Sequence, residues 1–393
     1  MLQYQNRKVK EMVIHAGKNV PYYRNLFSEI GLDINSFHGI EDLHKIPLLD
    51  KESIRKNPDA FLSDGYQRYG GGWIKTSGST GTPIKLWIDN ISKAYKYAAV
   101  IRAYDQGGYH LFKKALIVQG YSESKAKPFG YRILTNSLYF NASANCEKTF
   151  LKFYPLFRRF SPPVIMGYAR SVAQMALFMQ ENALKIPRVK SIVNYGQNVP
   201  EETIKFLEDS FQCKVFDVYS HAENAVLVHT FKGGAYRIAE DFFYPEFTKQ
   251  IDSNFDELIG TSFYSYAMPL IRYKTRDLIE VGLLDDKSCF RNVKRIIGRI
   301  DDRILLPNGS SVYFAEGALG YAEGIIAAQY IQEEHNLLKI LLVVDDQFKE
   351  EYFMQIEKGL TKRLGNELKY EFVITDQLEK NSSGKIPFII NRI

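Results

Sequence analysis

The strongest constraint on the fold is a strand–helix–strand pattern between residues 190 and 219. The segment 190–195 (Lys-Ser-Ile-Val-Asn-Tyr) is predicted to be a short buried strand, and 214–219 (Lys-Val-Phe-Asp-Val-Tyr) a second one. Between them Pro200, with Glu201 and Glu202 beside it, opens a helix that runs to about Phe211. A strand, a helix and a strand within about 30 residues are typical of a βαβ unit, so the two strands should be parallel.

Two polar loops follow these strands at their carboxyl ends. The first contains Gly196, Gln197 and Asn198, and the second is 220–223 (Ser-His-Ala-Glu). Parallel strands joined by a helix end at the same edge of the sheet, and open α/β sheets bind ligands at that edge. The sequence therefore predicts an α/β fold with a ligand site at these two loops.

The length of the chain and a change of pattern near Gly298 predict two domains. A chain of 393 residues is too long for one ordinary core. After Gly298 come short strands with an Asn-Gly turn at 308–309, which are typical of a small α+β domain. We expect a large N-terminal multi-sheet α/β domain over residues 1–298 and a small C-terminal α+β domain over residues 299–393.

Local patterns predict the elements at both ends of the chain. The first 60 residues are predicted to be helices interrupted at Pro21, Gly31, Pro47 and Pro58. In the C-terminal domain the predicted elements are a strand at 340–344, a helix over about 347–364 and a strand at 370–375.

Composition excludes several classes of protein. Lysine and arginine number 51 against 45 acidic residues, and the resulting charge of +6 is interspersed, so we expect no nucleic-acid partner. Cys146, Cys213 and Cys289 lie far apart without metal-ligand spacing, which argues against disulfides and structural zinc. No apolar stretch approaches the roughly 20 residues that cross a bilayer, and the charged N-terminus is unlike a signal peptide. We expect a cytoplasmic protein without membrane insertion.

The sharpest local motif is the run Thr76-Ser77-Gly78-Ser79-Thr80-Gly81-Thr82-Pro83, followed by Lys85. Its five hydroxyl groups and two glycines make a loop rich in O–H and N–H donors that can wrap a polyphosphate, and Lys85 adds a positive charge. It is not a Walker A loop, because no Gly-Lys-Ser/Thr ends it. Its place between Trp73-Ile74 and a predicted strand at 84–88 favours phosphate binding over a surface linker.

This run resembles the phosphate loop of the adenylate-forming superfamily, which comprises acyl-CoA synthetases, peptide-synthetase adenylation domains and luciferases. Four more segments resemble family motifs and occur in the family's order. They are 219–223 (Tyr-Ser-His-Ala-Glu), similar to Tyr-Gly-x-Thr-Glu; 272–278 (Arg-Tyr-Lys-Thr-Arg-Asp-Leu), similar to Arg-Tyr-x-Thr-Gly-Asp-Leu; 298–302 (Gly-Arg-Ile-Asp-Asp), similar to the hinge motif Gly-Arg-x-Asp-Asp; and 381–386 (Asn-Ser-Ser-Gly-Lys-Ile), similar to a C-terminal Ser-Gly-Lys-Ile. Ser220, Ala222 and Arg276 depart from the commonest forms.

The resemblance implies a set of site residues and two cofactors, ATP and Mg²⁺. Glu223 is implied to bind the metal, Asp301 to be the hinge between the domains, and Lys385 to act catalytically together with Glu223. The acyl pocket is implied to include Tyr168, His221 and Ala222. The implied ATP-binding residues are Thr76, Ser77, Gly78, Ser79, Thr80, Gly81, Thr82, Lys85, Gly196, Gln197, Asn198, Tyr219, Ser220, Asp277 and Arg299.

The resemblance narrows to the phenylacetate–CoA ligase-like branch and its relatives in capsule and polysaccharide gene clusters. The segments that carry it are 15–24, 43–51, 162–168 and 267–273. It implies that a carboxylic acid is converted into an acyl-adenylate with release of pyrophosphate. The small C-terminal domain is then implied to be mobile and to rotate, so that the acyl group passes to an external acceptor.

The sequence does not identify the molecule that accepts the acyl group. Coenzyme A is the acceptor that the branch implies, and an amino sugar or amino acid, giving an amide, is the alternative. A non-catalytic nucleotide-binding protein of a biosynthetic cluster is a second alternative, against which the presence of both Lys385 and Glu223 argues.

Overall fold

The computed structural model describes residues 1–76, 84–120, 127–196, 198–199, 201–231, 234–249, 255–284, 291–300, 303–309, 311–312, 324–380 and 386–393. The α-helices there are α1 (Leu2–Asn19), α2 (Pro21–Glu29), α3 (Ile40–Leu43), α4 (Lys51–Lys56), α5 (Asn90–Gln106), α6 (Glu147–Phe160), α7 (Ala169–Glu181), α8 (Glu201–Phe211) and α9 (Tyr352–Leu364). The strands are β1 (Gly72–Lys75), β2 (Lys85–Ile88), β3 (Ala115–Gln119), β4 (Phe129–Arg132), β5 (Ser137–Asn141), β6 (Val164–Gly167), β7 (Ser191–Tyr195), β8 (Lys214–Ser220), β9 (Leu227–Thr230), β10 (Tyr236–Ile238), β11 (Phe243–Lys249), β12 (Asp256–Ser262), β13 (Tyr273–Leu284), β14 (Arg291–Arg299), β15 (Ile304–Leu305), β16 (Ser311–Val312), β17 (Ile325–Glu334), β18 (Leu337–Val344), β19 (Lys369–Ile374) and β20 (Ile389–Asn391).

The N-terminal helices begin and end where the local residues require it. The apolar face of α1, with Val9, Met12 and Ala16, is buried. Pro21 occupies the first turn of α2, where its missing N–H costs no intrahelical hydrogen bond. The side chain of Asp50 caps α4 by accepting a hydrogen bond from the amide of Ser53 at 2.7 Å. The predicted series of helices is thus confirmed.

The chain forms two compact units, each built from two stretches of sequence. The first unit comprises Met1–Ala103 and Tyr219–Ile296, and the second comprises Tyr104–Val218 and Ile297–Ile393. The chain thus leaves the first unit for the last time two residues before Gly298. The division into domains at 298/299 stays a prediction.

The first unit is dominated by antiparallel pairing. Its strands follow the order β11-β12-β13-β14-β10-β9, and β1 and β2 form a separate antiparallel pair. In β12, Glu257, Leu258 and Ile259 are buried, and a register shift between Glu257 and Ile259 marks the pairing with β13.

The second unit contains the predicted βαβ unit. Its strands follow the order β8-β7-β6-β3-β5-β4, in which neighbours pair in parallel as far as β5, and β4 forms an antiparallel edge. β7, α8 and β8 match the predicted strand, helix and strand, and β7 pairs with β8 in parallel from Ser191↔Lys214 to Tyr195↔Val218. Both strands therefore end at one edge, and the α/β prediction is confirmed.

The C-terminal part of the second unit is a four-stranded sheet in the order β19-β18-β17-β20. On one face, residues such as Tyr330, Ile340 and Leu342 share a core with Ile356 and Leu360 of α9. On the other face, Ile326, Ala327, Ile331, Leu341 and Val343 share a second core with Val172 and Ala176 of α7. This arrangement confirms the predicted α+β class of the C-terminal part.

In the described part of the chain, no helix is long and apolar enough to cross a membrane.

Candidate active site

The β1–β2 pair carries the two ends of the predicted phosphate loop. The amide of Thr76 donates to the carbonyl of Ile84 at 3.0 Å, and the amide of Ile84 donates to Thr76 Oγ1 at 3.2 Å. Lys85 begins β2, and its ammonium lies 4.0 Å from the ring centre of Trp73. The intervening loop residues Ser77, Gly78, Ser79, Thr80, Gly81 and Thr82 lie outside the described residues.

Tyr219, His221 and Asp277 form a hydrogen-bonded cluster in the first unit, in which Asp277 is buried and the other two side chains are half-buried. The hydroxyl of Tyr219 donates to Asp277 Oδ2 at 2.6 Å, and His221 Nε2 also bonds to Asp277 Oδ2. The Tyr219 hydroxyl and His221 Nε2 are 2.7 Å apart. Tyr219 lies near the end of β8 and His221 directly follows the strand, so one short segment brings both side chains to one carboxylate. Two sequence motifs are thereby joined at Asp277, whose partners lie 58 and 56 positions away along the chain.

The turn that presents Asp277 depends on an unusual backbone conformation. Arg276, which occupies the position of the motif's glycine, has a left-handed φ of 61°. Its amide donates at 3.0 Å to the carboxylate of Glu257, and the Glu257 carboxylate also lies 3.7 Å from the ammonium of Lys274. Burial raises the pKa of Glu257. The amide of Asp277 donates to Thr275 Oγ1 at 3.1 Å, so side chains beside the motif stabilise the turn.

Glu223 is buried beside this cluster. Its Oε1 accepts a hydrogen bond from the Tyr273 hydroxyl at 3.3 Å and lies 3.9 Å from the ammonium of Lys51. Its Oε2 lies 4.0 Å from His221 Nδ1. Among the described residues, that buried Nδ1 has no hydrogen-bond partner, although a buried polar atom is expected to have one. A bound ligand can supply the missing partner.

Lys96 of α5 adds a buried positive charge to the same region. Its ammonium donates to the carbonyl oxygen of His221. Burial lowers the pKa of Lys96 to about 8, against a smaller opposing effect of the Glu223 charge. Lys96 therefore links α5 to the loop that follows β8.

The residues fit a magnesium ion that is held mainly by phosphate oxygens. Mg²⁺ usually takes one or two carboxylates together with waters and substrate phosphates. Within the described ranges, no group of three or more His, Cys, Asp and Glu side chains is placed to hold a metal. Glu223 can supply the single carboxylate that a nucleotide-bound magnesium needs.

The remaining predicted nucleotide residues lie in the second unit. Gly196 directly follows β7 and has a φ of 75°, and Asn198 Nδ2 donates to the carbonyl of Ile297 at 3.0 Å. Gly298 has a φ of 127°, and an added Cβ there would lie 3.6 Å from Asn198 Nδ2. Arg299 ends β14 and is half-buried. Gln197, Asp301 and Lys385 lie outside the described residues.

The predicted acyl-pocket residues differ in burial. Tyr168 is buried before α7, where its amide donates to the carbonyl of Val118 at 2.8 Å. In the first unit, His221 is half-buried and Ala222 is exposed, while Ser220 ends β8. The structure brings His221 to Tyr219, Glu223 and Asp277.

Four residues of the site were not identified from the sequence. Glu257 and Lys96 have no motif, and their partners lie 19 and 125 positions away along the chain, so no local pattern marks them. Lys51 and Tyr273 lie within segments that resemble the family, and a role for each could have been proposed from the adjoining motif.

The sequence is similar to those of known proteins. Residues 308–392 match the family described as the CapK C-terminal domain. Protein CapK of Staphylococcus aureus is 25% identical over 411 aligned residues, which cover all of this chain and 90% of that protein. Phenylacetate-coenzyme A ligase of Pseudomonas putida is 25% identical over 330 residues, which cover 77% of this chain and 72% of that enzyme.

The fold is also that of a solved ligase. The structure of 2-hydroxyisobutyryl-CoA ligase in the postadenylation state, in complex with 2-HIB-AMP, has a TM-score of 0.75 with this chain at 16% identity. The match covers 98% of this chain and 88% of that one. Together with the sequence relatives, it confirms the resemblance to the adenylate-forming superfamily and its phenylacetate–CoA ligase-like branch.

Proposed function

We propose that this chain, an AMP-forming ligase of the adenylate-forming superfamily, activates a carboxylic acid with ATP and Mg²⁺ and transfers the acyl group to coenzyme A. The observation that carries the proposal is the hydrogen-bonded Tyr219–His221–Asp277 cluster with the buried Glu223 beside it. Three polar side chains held against each other, next to a buried nitrogen without a partner among the described residues, are typical of a ligand site.

The cluster is suited to hold the nucleoside of ATP. Asp277 is a carboxylate, which can accept hydrogen bonds from two vicinal ribose hydroxyls. Tyr219 and His221 fix its orientation before the nucleotide binds, so little side-chain ordering remains to be done on binding. The ring of Tyr219 then lies beside the adenine, as the family resemblance implies.

The adenylation step needs alignment and charge neutralisation. A carboxylate oxygen forms a bond to the α-phosphorus of ATP while the bond to pyrophosphate breaks, and no proton has to move, because carboxylic acids are ionised at neutral pH. Magnesium, when bound at Glu223, supplies positive charge to the leaving phosphates. The hydroxyl-rich loop from Thr76 to Thr82 and Lys85 bind the phosphates, and Lys385 orients the carboxylate against the α-phosphate.

The second half-reaction requires access for the acceptor. Tyr168, His221 and Ala222 line the acyl pocket in this proposal, and rotation of the C-terminal domain at Asp301 withdraws Lys385. The thiol of coenzyme A then attacks the acyl carbonyl, AMP leaves, and a thioester forms. The full-length similarity to CapK supports a place in capsule or other polysaccharide biosynthesis, in the cytoplasm.

The test is pyrophosphate exchange with a panel of carboxylic acids. The active acid identifies the substrate, and Lys385→Ala should lower its exchange rate by about 10²–10³, since one preorganised charge is lost. Lys349→Ala is the matched control, because Lys349 is an exposed lysine of the same C-terminal part. Undiminished exchange in Lys385→Ala, with ATP affinity unchanged, contradicts the role of Lys385.

A further inference from the structure

A turn at the edge of the second unit carries apolar side chains where polar ones are usual. Ile133–Asn136 joins β4 to β5, and the amide of Asn136 donates to the carbonyl of Ile133 at 3.2 Å. Such turns favour Gly, Asn, Asp and Ser. Here Ile133 is 81% exposed and Leu134 is 87% exposed. Two adjacent aliphatic side chains exposed to water at the end of an edge hairpin are typical of an interaction surface.

A neighbouring turn enlarges this surface. Asn136 Nδ2 donates to the carbonyl of Phe112 at 3.1 Å, so the Leu111–Phe112 turn lies against the hairpin. Phe112 is 67% exposed and has a left-handed φ of 63°. We call Leu111, Phe112, Ile133 and Leu134 the apolar tip.

Basic residues surround the apolar tip. Lys113 and Lys114 follow Phe112 and are exposed, and the ammonium of Lys114 donates to the carbonyl of Phe160 at 3.3 Å. The ring of Phe160 lies 5.7 Å from that of Tyr131 in β4, which brings the end of α6 to the hairpin. Just before Phe160, Arg158 and Arg159 line a cavity of about 380 Å³ together with Tyr154 and Pro155.

The charge of the chain is concentrated in this region. Residues 106–160 contain nine lysines and arginines against two acidic residues, a formal charge of +7, whereas the whole chain carries +6. One of the acids, Glu147, begins α6 at the end opposite to Phe160. The rest of the chain is therefore almost neutral, and the four residues of the apolar tip belong to this basic stretch of sequence.

We propose that the apolar tip and its basic surroundings bind the surface of an anionic phospholipid membrane. Aliphatic side chains at the tip of a hairpin can enter the headgroup region, and each lysine or arginine near the surface adds attraction to anionic lipids. A bilayer can deform around exposed apolar side chains, whereas a protein partner would need a preformed concave site that fits them. Nucleic acid would use aromatic stacking and phosphate contacts, and would gain nothing from Ile133 and Leu134.

This binding differs from the membrane insertion that the sequence excluded. It involves only the headgroup region at two neighbouring turns of the second unit, and it requires no spanning segment. It is also independent of the proposed activity, because none of the four residues of the apolar tip belongs to the candidate active site. An acyl-activating enzyme held at a membrane surface would deliver its product to acceptors located there.

The test is co-sedimentation of the whole chain with vesicles. We expect binding to vesicles that contain phosphatidylglycerol, weaker binding at high salt, and no binding to pure phosphatidylcholine. Ile133→Ser/Leu134→Ser should weaken binding by roughly tenfold or more, because the apolar contribution is lost. Met354→Ser is the matched control: Met354 is 71% exposed on α9, and its replacement should leave binding unchanged.

Two further measurements make the outcome decisive. Pyrophosphate exchange should be unchanged in the double variant, which excludes misfolding as the cause of lost binding. The proposal is overturned if the wild type does not bind anionic vesicles, or if the double variant binds them equally. It is also overturned if the double substitution instead abolishes self-association in light scattering, or RNA binding, with vesicle binding intact.

Discussion

Asp277 accepts hydrogen bonds from Tyr219 and His221, and this single carboxylate therefore joins two motifs of the chain. A carboxylate held by two donors keeps its orientation without a ligand. The preceding Arg276 has a left-handed conformation that glycine adopts more easily, and Glu257 stabilises it by accepting a hydrogen bond from the Arg276 amide. The site is thus stabilised by residues that do not contact the nucleotide themselves.

Replacing this carboxylate should weaken nucleotide binding. We expect Asp277→Asn to raise the KM for ATP roughly ten- to a hundredfold, since a hydrogen bond to a charged group contributes about 1.5–3 kcal/mol. The rate at saturating ATP should fall much less, because Asp277 is proposed to contact the ribose and not the reacting phosphate. Pyrophosphate exchange at varied ATP concentrations measures both.

Asp59→Asn is the control, since Asp59 is an exposed aspartate of the same unit. An unchanged KM in Asp277→Asn, or an equal change in Asp59→Asn, is incompatible with the ribose assignment.

Residues with a motif were predictable, and residues without one were not. Tyr219, Glu223 and Asp277 were named because their segments resemble short motifs of a known family, and their roles stay predictions. Lys96 and Glu257 act through backbone groups of other segments, and any side chain of similar length and charge satisfies such a contact. The contacts of Lys96 and Glu257 form only in the tertiary fold, so no local sequence pattern predicts them.

At the scale of elements, the βαβ unit was predicted because its pattern is local. Helix α8 has acidic residues in its first turn and buried Leu207 and Phe211, and the flanking strands are short apolar runs. The antiparallel strands β9 to β14 were not predicted. Their pairing joins distant segments, such as Tyr236 of β10 with Val293 of β14, and β-strand register depends on such contacts more than on propensity.

The central strand β6 ends at a glycine that no other residue should replace. Gly167 has a φ of 133°, and a Cβ there would overlap the carbonyl oxygen of Val118 in the neighbouring strand β3. We expect Gly167→Ala to destabilise the protein by about 3 kcal/mol or more, through backbone strain and displacement of β3. The shift of the urea unfolding midpoint measures this.

Gly31 provides the comparison, because its φ is 65° and a Cβ there meets nothing within 4 Å. Gly31→Ala should therefore cost only about 1 kcal/mol, the backbone contribution alone. Equal midpoints for the two variants would contradict the steric explanation.

At the scale of the whole molecule, neither compact unit is a continuous stretch of sequence. The backbone leaves the first unit after Ala103 and returns to it at Tyr219. The sequence could indicate a change of secondary-structure pattern near Gly298, because the predicted strand lengths and turns change there. It could not show that residues 104–218 and 297–393 form one compact unit, since that depends on apolar surfaces such as those of α7 and β17 meeting after folding.

The proposed rotation at Asp301 can be tested with a single substitution. Asp301→Pro fixes φ near −65° and should hinder rotation of the C-terminal domain. Adenylation, measured by pyrophosphate exchange, should survive better than acyl transfer. Asp301→Ala leaves φ free and is the control. Equal losses in both half-reactions of the proline variant, or no loss in either, would count against an alternating mechanism.

The proposed activity of the whole molecule includes the choice of acyl acceptor, which is either coenzyme A or an amine. Thioester formation is expected, because 77% of the chain aligns with an enzyme named phenylacetate-coenzyme A ligase. The full-length alignment with CapK, whose C-terminal domain family matches residues 308–392, keeps an amine acceptor as the alternative to test. The two products differ in the bond to the acyl carbonyl, a thioester in one and an amide in the other.

The acid identified by pyrophosphate exchange should therefore be incubated with enzyme, ATP and Mg²⁺, together with coenzyme A or with candidate amino sugars and amino acids. We expect mass spectrometry to find the acyl thioester, and the thiol to be acylated in preference when both acceptors are present. Hydroxylamine added without an acceptor should trap the acyl-adenylate in either case, which separates the first half-reaction from the second. An amide at saturating coenzyme A, with no thioester, would replace coenzyme A by an amine as the acceptor and would leave the adenylation step intact.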